Sequence, residues 1–181
     1  ALQDCNKAIE LDPMSMIVAH ALAQVYYLGR DFEQAARQTE QALSLDRNDP
    51  SVHYFLALPN DQLGRFQVAQ ESYRRAIELS DGAPLYRAGL AYSLARAGLP
   101  GEARLILGEL RDDPRTANFD IALIHLGLGE TDEAVDRLEK AYASRDSQVI
   151  YINRDPRFDP LRGDARFDRL IERFDYPPPG A

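Results

Sequence analysis

Residues 22–45 read LAQVYYLGRDFEQAARQTEQALSL, and residues 56–79 read LALPNDQLGRFQVAQESYRRAIEL. Leu22-Ala23 returns 34 positions later as Leu56-Ala57 and again as Leu90-Ala91, while Ala1, Ala35, Ala69 and Ala103 keep the same period between them. A fixed period in this range is the signature of stacked supersecondary units, each burying its apolar face on its neighbours. The spacing predicts first helices over about 15–28, 50–63, 84–97 and 116–127, and second helices over about 32–45, 66–79, 101–111 and 131–144. Asp12-Pro13, Asp49-Pro50, Gly82-Ala83-Pro84 and Asp113-Pro114 separate the hairpins. Gly64, Gly98 and Gly129 stand where a first helix ends and a left-handed residue is needed.

Composition narrows the function class. The formal charge of −8 arises from 29 acids against 21 bases spread over both halves, so no basic face is ready to replace phosphate counterions and nucleic acid is not an expected partner. No apolar run approaches a membrane span, which predicts a soluble, cytoplasmic protein without a membrane partner. Only Lys7 and Lys140 are lysines, read as the coding bias of a GC-rich bacterium. Cys5 is alone, which leaves neither an intrachain disulfide nor a cysteine-based zinc site.

The units resemble the tetratricopeptide repeat over roughly residues 1–145. In that family a small residue on each helix lets the two backbones approach; those places hold Ala23, Ala57, Ala91 and Ala122, then Ala35, Ala69, Ala103 and Ala134. A later alanine of the second helix recurs as Ala8, Ala42, Ala76 and Ala141, and the aromatic opening it as Phe32 and Phe66. The third full unit departs, with Pro100 for the aromatic and Leu110 for the late alanine, and its successor follows after 31 residues. This shortening is expected in the second helix or its exit, with a change of superhelical pitch.

The resemblance implies an all-α, right-handed α-α superhelix: a half repeat at 1–13, hairpins at about 14–48, 49–82, 83–113 and 114–145, a helical cap at 146–176 and a disordered tail at 177–181. The segment Ala1–Leu11 reads as a second helix whose stripe of Leu2, Cys5, Ala8 and Ile9 lacks a preceding helix. A cut from a longer protein explains this, and the alternative is that the open face docks a partner or a second copy as a homodimer. The stretch from Arg154 to Phe174 resembles the Asp-Pro-Arg-Phe tail that closes tetratricopeptide arrays in large bacterial signalling proteins with a kinase, cyclase or winged-helix domain. Phe158, Leu161, Phe167, Leu170, Ile171 and Phe174 are expected to cover the last repeat, with arginines and acids alternating outside.

Catalysis is not expected. His20, His53 and His125 lie on three different first helices, and none has the i, i+4 histidine partner of a helical metal site. His53 and His125 occupy core positions. Gly89, Gly98 and Gly101 are spaced as turn and packing glycines, so no phosphate loop, cofactor or metal is implied. Paired acids such as Asp112-Asp113 and Asp132-Glu133 lie at helix ends, where they complement the helix dipole or stay solvated.

The concave face of the first helices remains. Positions not needed for hairpin packing give His20, Gln24, Tyr27, Tyr54, Phe55, Leu58, Asp61, Gln62, Tyr92, Arg96, Phe119 and Leu123, an aromatic, amphipathic groove suited to an extended or helical segment. The places where co-chaperones of this family grip a terminal carboxylate hold His20, Gln24, Phe55, Leu58, Leu85 and Gly89, which does not make that clamp. Pro59, between groove residues, is expected to bend its helix and free the Phe55 carbonyl. The sequence reads as a non-enzymatic scaffold for a protein or peptide ligand within a larger bacterial signalling or regulatory protein. The alternative is an intramolecular or self-association module of an upstream kinase, cyclase or transcription-regulator domain.

Overall fold

The computed structural model describes residues 15–174, so expectations for the first half repeat, its open face and residues 175–181 lie outside the described residues. Eight helices form four antiparallel hairpins: α1 (Met16–Leu28) with α2 (Phe32–Leu45), α3 (Pro50–Gln62) with α4 (Phe66–Leu79), α5 (Pro84–Arg96) with α6 (Pro100–Asp112), and α7 (Asn118–Gly127) with α8 (Thr131–Ala143). Two 3-10 turns, Ser147–Tyr151 and Pro156–Leu161, lead to α9 (Ala165–Glu172). No strand occurs among the described residues.

Local chemistry sets these limits. Asp49 accepts a hydrogen bond from the Ser51 amide at 2.8 Å, and Pro50, Pro84 and Pro100 occupy the first helical turns, where the missing N–H costs no intrahelical bond. Gly64, Gly98 and Gly129 close first helices at φ of 72°, 84° and 75°. The same place after α1 is filled by Arg30 at φ 66°, a conformation that costs a non-glycine residue about 1–2 kcal/mol. The eight alanines on facing helix surfaces are buried, six of them completely. They allow the close backbone approach that alanine's small side chain permits, and the core is a ribbon of successive clusters along the stack. Helix α3 runs from Pro50 to Gln62 through Pro59, and the Asn60 side-chain amide donates to the Leu56 carbonyl at 2.8 Å.

The three-residue shortening falls in neither α6 nor its exit. Helix α6 has 13 residues against 14 in α2 and in α4, and the connection after it has five against four, so the two differences cancel; it is α7 that has 10 residues where α5 has 13. With its first turn removed, α7 changes partner. Outside their own hairpins, helices α3 and α5 pack chiefly on the preceding second helices α2 and α4, whereas α7 packs chiefly on the first helix α5 and only lightly on α6. Gly127 permits this, because a Cβ there would lie 2.9 Å from both the Cα and the carbonyl oxygen of Tyr92.

Candidate partner-binding groove

The concave face of the described array is not empty. The tail after α8 packs Val149, Ile152, Phe158, Leu161, Phe167 and Leu170 into the terminal core, with Ile171 and Phe174 against it. The rings of Phe119 and Phe158 stand 5.6 Å apart. The tail then reaches back to the first hairpin. Tyr27 donates its hydroxyl to Asp155 Oδ1 at 3.2 Å, across 128 positions of sequence, and Arg157 Nη1 donates to the Tyr54 hydroxyl at 3.2 Å. Arg30 Nη2 grips both oxygens of Asp159 at 2.6 and 2.9 Å.

At the centre lies a buried ion pair. Asp155 and Arg157 are each only 4% exposed, with the guanidinium Nη2 2.5 Å from Oδ2 and Nε donating to both carboxylate oxygens. Asp155 also caps the Pro156–Leu161 turn by accepting from the Arg157 amide at 2.9 Å. The expectation that tail arginines and acids all alternate on the outside is therefore wrong for these two. Burial is tolerable because each charge is matched by the other and by tyrosine hydroxyls that themselves need partners away from water. Burial raises the hydroxyl pKa of Tyr27 and Tyr54, with the Asp155 carboxylate adding to the rise and Arg157 opposing it.

The anticipated groove residues divide into three groups. Tyr27, Tyr54, Leu58, Tyr92 and Phe119 form its floor and are buried, Tyr27 and Tyr54 directly against the tail. His20, Gln24, Phe55 and Gln62 are half-buried and Arg96 is exposed, with the His20 and Phe55 rings 5.4 Å apart. Asp61 and Leu123 are wholly buried and do not line an open surface. Leu123 belongs to the terminal core, and Asp61 accepts a hydrogen bond from Tyr73 of α4 at 2.9 Å. Burial pushes the Asp61 carboxyl up to about 6, held back by the Ser93 and Tyr73 hydroxyls and by Arg96 and Arg157. Asp120, which the sequence pattern did not single out, is also raised to about 6 by burial.

Two cavities lie where the docked tail meets the groove residues. One of about 260 Å³ lies between α1, α3 and the tail, walled by Gln24, Tyr27, Phe55, Gln148 and Tyr151 among others. The other, about 350 Å³, lies where α3, α5 and α7 meet the tail and includes Gln62, Tyr92, Arg96 and Pro160. Gln148, Tyr151, Asp155 and Arg157 were missed as groove residues. The signal available was the pair of groove tyrosines, whose hydroxyls require partners once buried.

Two of the three histidines are tied into the scaffold. His53 Nε2 lies 2.9 Å from the Arg47 carbonyl oxygen, and His125 Nδ1 lies 2.6 Å from a Glu130 carboxylate oxygen. Among the described residues no group of three or more His, Cys, Asp or Glu could hold a metal ion, and no helix is long and apolar enough to cross a membrane.

The tetratricopeptide repeat family matches residues 61–115. The chain is 32% identical over 87 residues to the N-terminal acetyltransferase A complex subunit-like protein of Schizosaccharomyces pombe, 48% of this chain and 12% of that protein. Over 78 residues it is 28% identical to human tetratricopeptide repeat protein 13, covering 43% and 9% of the two chains. It thus spans about a tenth of the length of these relatives. In fold it is similar to the crystal structure of MamA, with a TM-score of 0.58 at 21% identity over 83% of this chain and 90% of that one. It is also similar to YrrB, described as a TPR protein with an unusual peptide-binding site, with a TM-score of 0.54 at 18% identity over 95% and 91% of the chains. The tetratricopeptide match is confined to residues 61–115, while the likeness of fold over most of the chain shows an all-α, right-handed α-α superhelix.

Proposed function

We propose that the chain is a non-enzymatic protein–protein interaction scaffold that takes a protein or peptide segment on its concave face, as part of a larger bacterial signalling or regulatory protein. One observation carries this reading: the groove already holds a peptide segment, residues 155–161, through tyrosine hydroxyls, a buried ion pair and the Phe119–Phe158 contact. A surface that satisfies one short segment in this way has the chemistry to hold another alongside it. The likeness to a protein described as having a peptide-binding site agrees with the reading. The partner contacts His20, Gln24, Phe55, Gln62 and Arg96, the groove residues that keep solvent access, while Tyr27, Tyr54, Leu58, Tyr92 and Phe119 form the wall behind them.

The same observation favours a second reading, in which docking of the tail is itself the function and the array regulates an upstream kinase, cyclase or transcription-regulator domain, or associates with another copy. Photo-cross-linking residues at Gln24 and Phe55, with exposed Arg74 of α4 as control, separate the two. Partner peptides captured at Gln24 and Phe55 but not at Arg74 support the scaffold. Cross-links confined to the chain's own residues or to an attached domain support the regulatory reading, and capture at Arg74 alone overturns both.

A further inference from the structure

The cavity of about 350 Å³ beside the tail is lined by Arg96 and Arg157 and by one acid, Asp159, with the buried Asp61 carboxyl close enough to feel Arg96. The acid at its rim, Asp159, is held by Arg30 at 2.6 Å and by Arg162 at 2.9 Å, and Asp155 is held by Arg157 at 2.5 Å. Arg96 is different. Its guanidinium lies 5.7 Å from the Phe66 ring centroid and 5.5 Å from that of Tyr92, and it donates to the Tyr92 hydroxyl at 3.2 Å. It makes no ion pair among the described residues, so a guanidinium fixed by two aromatic rings keeps most of its five donors free. Beside it, the side-chain nitrogen of Gln62 is buried with no hydrogen-bond partner.

We propose that this cavity is a socket for an acidic side chain, aspartate or glutamate, of an extended partner segment. Arg96 is the ion-pairing group, Gln62 supplies a hydrogen bond, and Tyr92, Leu126, Pro156 and Pro160 pack the methylene stem. The planar fork of arginine matches a carboxylate, and the chain uses the same chemistry on this face when Arg30 holds Asp159. An acidic partner is also the one a net charge of −8 would repel from most of the surface, so a local excess of cation selects where it docks. The inference rests on the concave face being the partner-binding surface.

Two capped peptides, acetyl-Glu-Leu-Glu-Leu-Glu-amide and its glutamine counterpart, are titrated into the full chain by nuclear magnetic resonance at matched ionic strength. The glutamate peptide should bind about 10-fold or more tightly and shift the Gln62 and Arg96 signals, a difference that Arg96→Ala erases and Arg74→Ala leaves intact. Because Arg96 is exposed, the variant should keep its helical circular dichroism. Equal binding of both peptides overturns the socket and leaves the scaffold standing. Unchanged glutamate binding in Arg96→Ala, equal displacement by inorganic phosphate, or no shift at Gln62 and Arg96 with either peptide also overturns it. The scaffold itself is judged separately by cross-linking at Gln24 and Phe55.

Discussion

Replacing Arg157 with methionine probes the docked tail most sharply, because methionine keeps an unbranched apolar stem and removes the guanidinium with its charge and donors. In the native chain Arg157 gives three hydrogen bonds to Asp155 and one to Tyr54. Without them Asp155, 4% exposed, keeps only the Tyr27 hydroxyl at 3.2 Å and the residue-157 amide at 2.9 Å. Removing one member of a buried pair costs about 3–5 kcal/mol, chiefly from the uncompensated charge left behind. At about 2–4 °C per kcal/mol for a chain of this size, Arg157→Met should lower the melting temperature by roughly 6–20 °C. The second variant, Asp155→Asn with Arg157→Met, keeps the capping acceptor and removes the orphaned charge. It should recover most of the loss, giving a positive coupling energy in a double-mutant cycle. Urea unfolding followed by circular dichroism measures both. If Arg157→Met is within about 1 kcal/mol of the native chain, the guanidinium is not buried in the groove and the docking argument fails.

Three further outcomes follow from particular residues. Burial raises the Asp61 carboxyl from 3.8 to about 6, so between those values the unfolded chain releases a proton that the folded one keeps, and stability falls as pH rises through that window. Asp61→Asn should therefore be more stable than the native chain at pH 7, by on the order of 2–3 kcal/mol, and should match it near pH 4. Lower stability at pH 7 would show that the Tyr73 bond needs the charge. Arg30→Gly should relieve backbone strain of about 1 kcal/mol while losing the exposed pair with Asp159, leaving stability nearly unchanged in calorimetry but speeding hydrogen exchange in residues 155–161. Gly127→Ala should destabilise by more than about 1 kcal/mol in urea unfolding, because a Cβ would press on the Tyr92 backbone, which cannot yield as a side-chain tip can.

The stack was legible because its determinants are local and periodic. Alanines at 34-residue spacing, prolines at helix starts and glycines at helix ends each act within one hairpin, so the pattern alone located the four pairs of helices. Even so, a spacing of 31 residues could not say which turn was lost. The helix was expected from about residue 116, whereas Asp113 accepts from the Arg115 amide at 2.9 Å and holds a turn that delays α7 to Asn118. The site was less legible than the fold. That the tail carries apolar capping residues follows from its helical periodicity, but the Tyr27–Asp155 contact spans 128 positions and leaves no periodic trace. The Asp-Pro-Arg-Phe segment reads as solvated charge unless the two tyrosine hydroxyls on distant helices are asked for their partners.

The occupancy of the groove by the chain's own tail is tested most directly by nuclear Overhauser contacts in this chain with labelled arginine, tyrosine and phenylalanine. With Arg157 Nη1 at 3.2 Å from the Tyr54 hydroxyl, cross-peaks are expected between the Arg157 side chain and the Tyr54 ring, alongside those between Phe119 and Phe158. If the Phe119–Phe158 cross-peaks appear and those from Arg157 to Tyr54 do not, the tail caps the last hairpin and leaves the groove open, contrary to the account given above.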